Sequence, residues 1–334
     1  MIKTDICVVG AGPAGLFAVF EAGLLKMRCQ LVDVLPAIGG QLSEIYPKKP
    51  IYDIPGFPEI SAGDLVANLS RQIAPFRPGF TLGEKVNAVQ RLDDGSFEVV
   101  TSEGTTIHCK VVVIAGGLGC FEPRKPDIVD LGRFEGKGIL YFIKDPESLR
   151  DKNVVITGGG DSALDWTIQL ASVVGRLTLV HRNDSFRGAP DSAGKVLELA
   201  REGRIDLMLG ATLHSISGNG HLNNIAVVDR DKNLRQISSD YLIPLFGLSP
   251  KLGPIAEWGL TLDKNTIPVN TVDYSTNVPG IYAIGDINTY PGKLKLILSA
   301  FHEAALMAQS AFRFVYPSGK LSFKYTTVNG VNAF

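Results

Sequence analysis

The run Gly10-Ala11-Gly12-Pro13-Ala14-Gly15 follows the apolar stretch Ile6-Cys7-Val8-Val9 and opens a helical one, Leu16 to Leu25. No other feature restricts the fold as much, because G-x-G-x-x-G gains meaning when it joins a buried strand to a helix. Gly10 permits the tight turn, Gly12 lets the backbone approach a pyrophosphate, and Gly15 allows the helix to lie close on the strand. Unpaired N–H groups at the helix start receive the anion. Pro13, beside Ala14, fits the first helical turn, where its missing donor costs nothing. Leu31-Val32-Asp33 reads as a second strand ending, about 20 residues on, in a carboxylate that can hold a ribose hydroxyl.

A chain of 334 residues suggests two domains, and 45% hydrophobic with 20% charged residues describes an ordinary globular protein. A net charge of -1 gives no basis for general binding to nucleic acid or a membrane surface. Asp5 and the Gly-Pro interruptions spoil the N-terminal apolar stretch as an export signal. No uninterrupted apolar run reaches the ~18 residues of a spanning helix, so a cytoplasmic location is expected. Cys7, Cys29, Cys109 and Cys120 have neither C-x-x-C nor metal-ligand spacing. Cys7, Cys29 and Cys109 read as small buried hydrophobes, Cys120 stays open, and no metal site is expected.

After Asp33, Gly39-Gly40-Gln41-Leu42 leads through Tyr46-Pro47 into a loop from Pro50 to Pro58 that is too apolar for a simple linker. In a dinucleotide domain such a loop can line a flavin ring, with Tyr46 or Tyr52 as the aromatic face, although plain packing would account for either. Ala62 to Phe76 has helical spacing, and Val86 to Lys110 reads as two or three antiparallel strands around Asp93-Asp94-Gly95. Val111-Val112-Val113-Ile114-Ala115 is a continuous apolar run of the kind a parallel strand buried on both faces shows, ending in Gly116-Gly117.

Phe121 to Pro126, with two prolines and three charges, reads as a crossing between domains. The strand, glycine turn and helix then recur: Asn153 to Thr157, Gly158-Gly159-Gly160-Asp161-Ser162-Ala163, and Leu164 to Val173. Two such units imply two dinucleotides. The next strand, Leu177 to Val180, ends in His181-Arg182-Asn183 with Arg187 close behind, and no acid stands where the first unit has Asp33. Arginines there suit the 2′-phosphate of NADP. Phe246 to Pro250 makes the return crossing, and Gly280 to Asp286 is a short buried strand ending in Gly285-Asp286, before a helix from Leu296 to Phe314. Asp286 can accept a hydrogen bond from a ribityl hydroxyl, although Gly-Asp alone is an ordinary turn. The expected fold is α/β, with two Rossmann-like domains, each a parallel sheet with helices and a small antiparallel meander. Their expected extents are 1–117 and 247–334 for the first domain and 118–246 for the second, read as NADPH-binding.

Over nearly its whole length the chain resembles the thioredoxin-reductase-like ferredoxin-NADP reductases of the flavoprotein disulfide-reductase superfamily. The resemblance rests on Gly39 to Leu42, Tyr46-Pro47, Ile51-Tyr52-Asp53, Phe121 to Lys125, Tyr141 to Pro146, Gly158 to Trp166, and Gly285-Asp286 with Tyr290-Pro291-Gly292-Lys293. Thioredoxin reductases carry a C-x-x-C before the second glycine motif, whereas Tyr141 to Lys152 contains no cysteine. A local dithiol relay is therefore excluded. The resemblance implies that the first domain binds FAD, held by Gly10, Gly12, Pro13, Ala14, Gly15, Asp33, Gly40, Gln41, Leu42, Tyr46, Val86, Ala115, Phe121, Gly285, Asp286 and Thr327. Val86 would act through its backbone, Tyr46 would stack on one face of the flavin, and Tyr325 from the partner of a homodimer on the other. NADPH would be held by Gly158, Gly160, Asp161, Ser162, Ala163, His181, Arg182 and Arg187. The family's basic motif has two adjacent arginines, and here the second is Asn183.

No side chain is expected to act as acid, base or nucleophile. By resemblance, NADPH gives a hydride to flavin N5 and electrons leave singly to ferredoxin, with flavodoxin as a second candidate partner. Lys48, Lys49, Arg124, Lys125, Lys293, Lys295, Lys320 and Lys324 are candidates for steering an acidic partner. The alternatives are reduction of flavodoxin, a quinone or oxygen, and a redox sensor that keeps both nucleotides without fast turnover.

Overall fold

In the computed structural model, residues 1–117, 119–321, 326–332 and 334 are described. In chain order the strands of the two main parallel sheets are β1 (Ile6–Val9), β2 (Cys29–Asp33), β3 (Gly79–Leu82), β4 (Val111–Ile114), β5 (Asn153–Thr157), β6 (Arg176–His181), β7 (Asp206–Leu209), β8 (Tyr241–Pro244) and β9 (Ile281–Ala283). The longer helices are α1 (Pro13–Leu24), α2 (Ala62–Ile73), α3 (Asp161–Leu170), α4 (Pro190–Arg201) and α5 (Ile297–Val315). Two units result, one of Met1–Cys120 with Pro250–Phe334 and one of Phe121–Ser249.

The first unit is built on a sheet in the order β9-β4-β1-β2-β3, parallel throughout. All four β4 residues are 0% exposed, because helices cover one face and an antiparallel meander the other. Each buried side chain contributes about 1.5–3 kcal/mol relative to an exposed one. Strands are added outward from β1 on both sides, so the order reverses between β1 and β4 and a crevice opens at their carboxyl ends. The meander pairs Val86–Arg91, Phe97–Thr101 and Thr106–Cys109 antiparallel, with Ile2–Lys3 parallel on the last.

The helix α1 begins at Pro13, three residues before the apolar run suggests, because Gly12 already caps it. Ser61 caps α2 by accepting the Asp64 N–H at 3.1 Å. That helix stops at Ile73 and tightens into a 3-10 turn, Ala74–Phe76, since Pro75 has no N–H for another helical bond.

The second unit repeats the plan with the order β7-β6-β5-β8, all parallel. A three-stranded antiparallel sheet, Thr212–Gly218, Leu222–Val228 and Leu234–Ser238, packs Leu222, Ile225 and Val227 against Val155, Val180 and Leu242. This is the α/β architecture expected from the two glycine turns. Among the described residues no helix is long and apolar enough to cross a membrane.

Candidate dinucleotide sites

Gly10 leaves β1 at φ +113°, and a Cβ on it would stand 2.4 Å from the Ala115 carbonyl oxygen. Only glycine lets the ends of β1 and β4 approach this closely. A Cβ on Gly15 would stand 2.0 Å from the Gly10 carbonyl oxygen, so Gly15 serves packing of α1 on the turn. Gly12 differs: no atom lies within 4 Å of the place its Cβ would take. That space lies open at the capping residue of α1, where the unpaired N–H groups of a helix start can receive an anion. The Gly39 N–H donates to the Ala11 carbonyl at 2.8 Å, and this brings Gly40 against Gly12. The Gln41 amide lies beside Gly117, and Gly285 beside Ala14. One crevice thus collects Gly10, Gly12, Ala14, Gly40, Gln41, Ala115 and Gly285.

Asp33 lies at the end of β2. Its Oδ2 accepts the Ala11 N–H at 2.7 Å and its Oδ1 the Leu35 N–H at 2.9 Å, leaving each oxygen a lone pair for a ribose hydroxyl. Burial pushes its pKa up, and these backbone N–H groups pull it partly back. The Glu84 N–H donates to the Asp33 carbonyl at 3.1 Å, which sets the strand start at Val86 beside it. The Val86 side chain is core, so only its backbone is left to meet a ligand. Leu42 is core as well, and its N–H donates to Gly39. Its side chain packs in the core beneath the glycine turn.

Of the two loop tyrosines, Tyr46 is half-buried and Tyr52 is 66% exposed. Burial, and then the Asp286 carboxylate nearby, push the Tyr46 phenol pKa up. Burial also raises the Asp286 pKa, opposed by Lys295 and Lys293. Tyr46 therefore stands with the crevice, and Tyr52 does not share its burial. Thr327 is exposed in the short helix Thr326–Asn329, while Tyr325 and the Phe121 side chain lie outside what is described. Lys293 is not a rim charge: its side chain is 7% exposed and paired with Glu303, itself 0% exposed. The sequence pattern missed Glu303, which lies inside an apolar helix with no motif around it.

In the second unit the Arg187 N–H donates to the Gly159 carbonyl at 2.8 Å, and the Arg187 guanidinium lies 3.4 Å from where a Gly160 Cβ would be. Asp161 is the first residue of α3, and its Oδ1 accepts the Ala189 N–H at 2.7 Å, so it clamps the arginine loop to the turn. Ser162 is exposed at the helix start, whereas Ala163 is buried beside Gly158. His181 is buried, stacked on Phe186 with ring centroids 5.5 Å apart, and its Nε2–H donates to the Ser185 carbonyl at 3.1 Å. Burial lowers its pKa, the bond to the Ser185 carbonyl opposes this, and Arg182 and Arg187 lower it further. Arg182 and Arg187 are exposed beside the ring. Among the described residues no group of three His, Cys, Asp or Glu side chains is placed to hold a metal ion.

The sequence profile of the pyridine nucleotide-disulphide oxidoreductase family matches residues 4–304. The chain is 60% identical over 339 aligned positions to ferredoxin-NADP reductase 2 of Christiangramia forsetii, covering 100% of this chain and 95% of that one. It is 59% identical to the ferredoxin-NADP reductase of Flavobacterium johnsoniae, with the same coverage. Among solved structures, T. acidophilum thioredoxin reductase superposes with a TM-score of 0.80 at 25% identity, over 93% of this chain and 98% of that one. FAD and NADP(H) are the cofactors that this family and these relatives imply. The chain therefore belongs to the pyridine nucleotide-disulphide oxidoreductase family.

Proposed function

We propose that the chain is a ferredoxin-NADP reductase: a cytoplasmic homodimer that moves electrons between NADPH and ferredoxin, with flavodoxin as a second acceptor of the same kind. One observation carries the acceptor class. The unit that holds the Gly160–Arg187 turn has no C-x-x-C before it, in a fold shared with thioredoxin reductases, so electrons have no local disulfide to enter. The 60% identity to a ferredoxin-NADP reductase supports the same reading.

When bound, NADPH supplies a hydride and FAD converts this two-electron donation into single-electron release. The protein's own share is binding and orientation. Arg182 and Arg187 offer two fixed positive charges at the second turn, and Asp161 holds their loop in place. Asp33, Gly12 and Asp286 are the proposed contacts to ribose, pyrophosphate and ribityl groups. Tyr46, proposed to lie against the flavin ring, excludes water from one face.

Steady-state NADPH oxidation tests the proposal, with ferredoxin coupled to cytochrome c, flavodoxin, a quinone and thioredoxin compared side by side. Ferredoxin should give the highest kcat/KM and thioredoxin none. Fast thioredoxin reduction, or inactivity with every acceptor, would overturn it. Sedimentation of the loaded protein should give twice the chain mass, and a monomer would remove the proposed role of Tyr325.

A further inference from the structure

Glu303 lies inside α5, 0% exposed, and its carboxylate gathers four donors from one short stretch of chain. Oε2 accepts the Gly285 N–H at 2.6 Å and the Asn288 side-chain amide at 2.9 Å. Oε1 accepts the Tyr290 hydroxyl at 2.9 Å and the Lys293 ammonium. The Asn288 amide also donates to the Ala283 carbonyl at 2.9 Å, tying the stretch to the end of β9. A buried carboxylate carries a desolvation cost that only such complete satisfaction offsets. Every one of these donors flanks Asp286, yet among the described residues none of them hydrogen-bonds Asp286 itself. Gly285, at φ +77°, is where the chain turns against Ala14 in the first crevice, and its N–H is the group that Glu303 fixes.

We propose that Glu303 is a positioning residue for FAD: it locks the Gly285–Lys293 segment and so aims the Asp286 carboxylate into the crevice. It touches no ligand, and its effect passes through Asp286. This rests on the FAD reading of the first unit and goes beyond it by assigning the Asp286 geometry to a residue on another element. Glu303→Gln keeps the side-chain volume but replaces one acceptor oxygen with a donor facing the same N–H groups.

The test is a double-mutant cycle read as FAD affinity of the apo-protein, by titration with FAD, for the wild type, Glu303→Gln, Asp286→Ala and the double variant. Each single substitution should weaken FAD binding at least about tenfold. The double variant should be no more than about twofold weaker than Asp286→Ala alone, because groups acting through one another are not additive. Losses that multiply, or a Glu303→Gln affinity within about twofold of wild type, would overturn the inference, since a purely structural carboxylate gives independent losses. If Glu303→Gln yields no folded apo-protein by circular dichroism, the same cycle with Tyr290→Phe decides: its roughly threefold loss should vanish in the Asp286→Ala background, and persistence would refute the coupling. A wild-type chain that took up no FAD would overturn the flavin reading and this inference with it, whereas multiplying losses overturn the inference alone.

Discussion

The clearest consequence of a single side chain concerns the second nucleotide. Arg182 and Arg187 stand exposed at the glycine turn, His181 is buried and neutral beside them, and Asn183 occupies the place of a second adjacent arginine. Arg187→Ala should raise the KM for NADPH by about 5- to 150-fold, the range of about 1–3 kcal/mol for a charge-assisted bond. The KM for NADH should stay within about twofold, and Asn183→Arg should lower the NADPH KM. Steady-state kinetics with both nucleotides checks all three. His181 also makes stability depend on pH. Its pKa is lowered on folding from the usual 6.5, so between the two values the unfolded chain binds more protons and stability rises with pH. That contribution is fully present above pH 6.5 and is lost as pH falls through and below it. Melting temperatures from pH 7.5 to 5 should fall less steeply in His181→Asn than in the wild type. The places of Asp33 at the end of β2 and of Arg187 at the second turn were legible because they occupy fixed offsets from a glycine turn. Glu303 was not, since its four partners are 10 to 18 residues away in sequence and no periodicity marks such a pairing.

At the level of elements, the two strand-turn-helix units were readable because their glycines answer separate steric demands. The same demands make them separable by experiment. A Cβ on Gly15 meets the Gly10 carbonyl at 2.0 Å, whereas one on Gly12 meets nothing within 4 Å. Gly15→Ala should therefore force α1 off β1, at about 3 kcal/mol or more for overpacking against backbone, and lower the melting temperature of the apo-protein. Gly12→Ala should leave that melting temperature within a degree or two and weaken FAD binding at least about tenfold, because only the ligand contests the space. Calorimetry of the apo-proteins and FAD titration distinguish the pair, and equal melting temperatures would show that the turn relaxes. Element ends were less legible than element kinds. The amphipathic pattern from Ala62 runs on through Phe76, but the α-helix closes at Ile73 because Pro75 has no donor, a backbone fact that hydrophobic spacing does not carry.

For the whole molecule, a net charge of -1 means that attraction of an acidic partner has to come from local clusters of lysine and arginine, not from the protein's overall field. The structure narrows the candidates that composition offered. Lys293 is buried against Glu303, and Lys125 is paired with Glu135 at 2.6 Å. Lys48 and Lys295 are exposed, Lys49 lies 5.7 Å from the Tyr46 ring centroid, and Lys295 acts electrostatically on Asp286. Of the described candidates, Lys49 is thus tied to Tyr46 and Lys295 to Asp286, while Lys324 lies outside the described residues. Raising ionic strength from 0.1 M to 1 M shortens the screening length from about 10 Å to about 3 Å. It should lower kcat/KM for ferredoxin by about tenfold while the rate with a small neutral quinone changes by less than about twofold. Lys295→Gln should reproduce part of that loss at low salt, leave the NADPH KM unchanged, and flatten the salt dependence, because a charge already removed has nothing left to screen. A ferredoxin rate indifferent to salt, in wild type and variant alike, would mean that docking rests on apolar contact, with these lysines serving only as solvated surface.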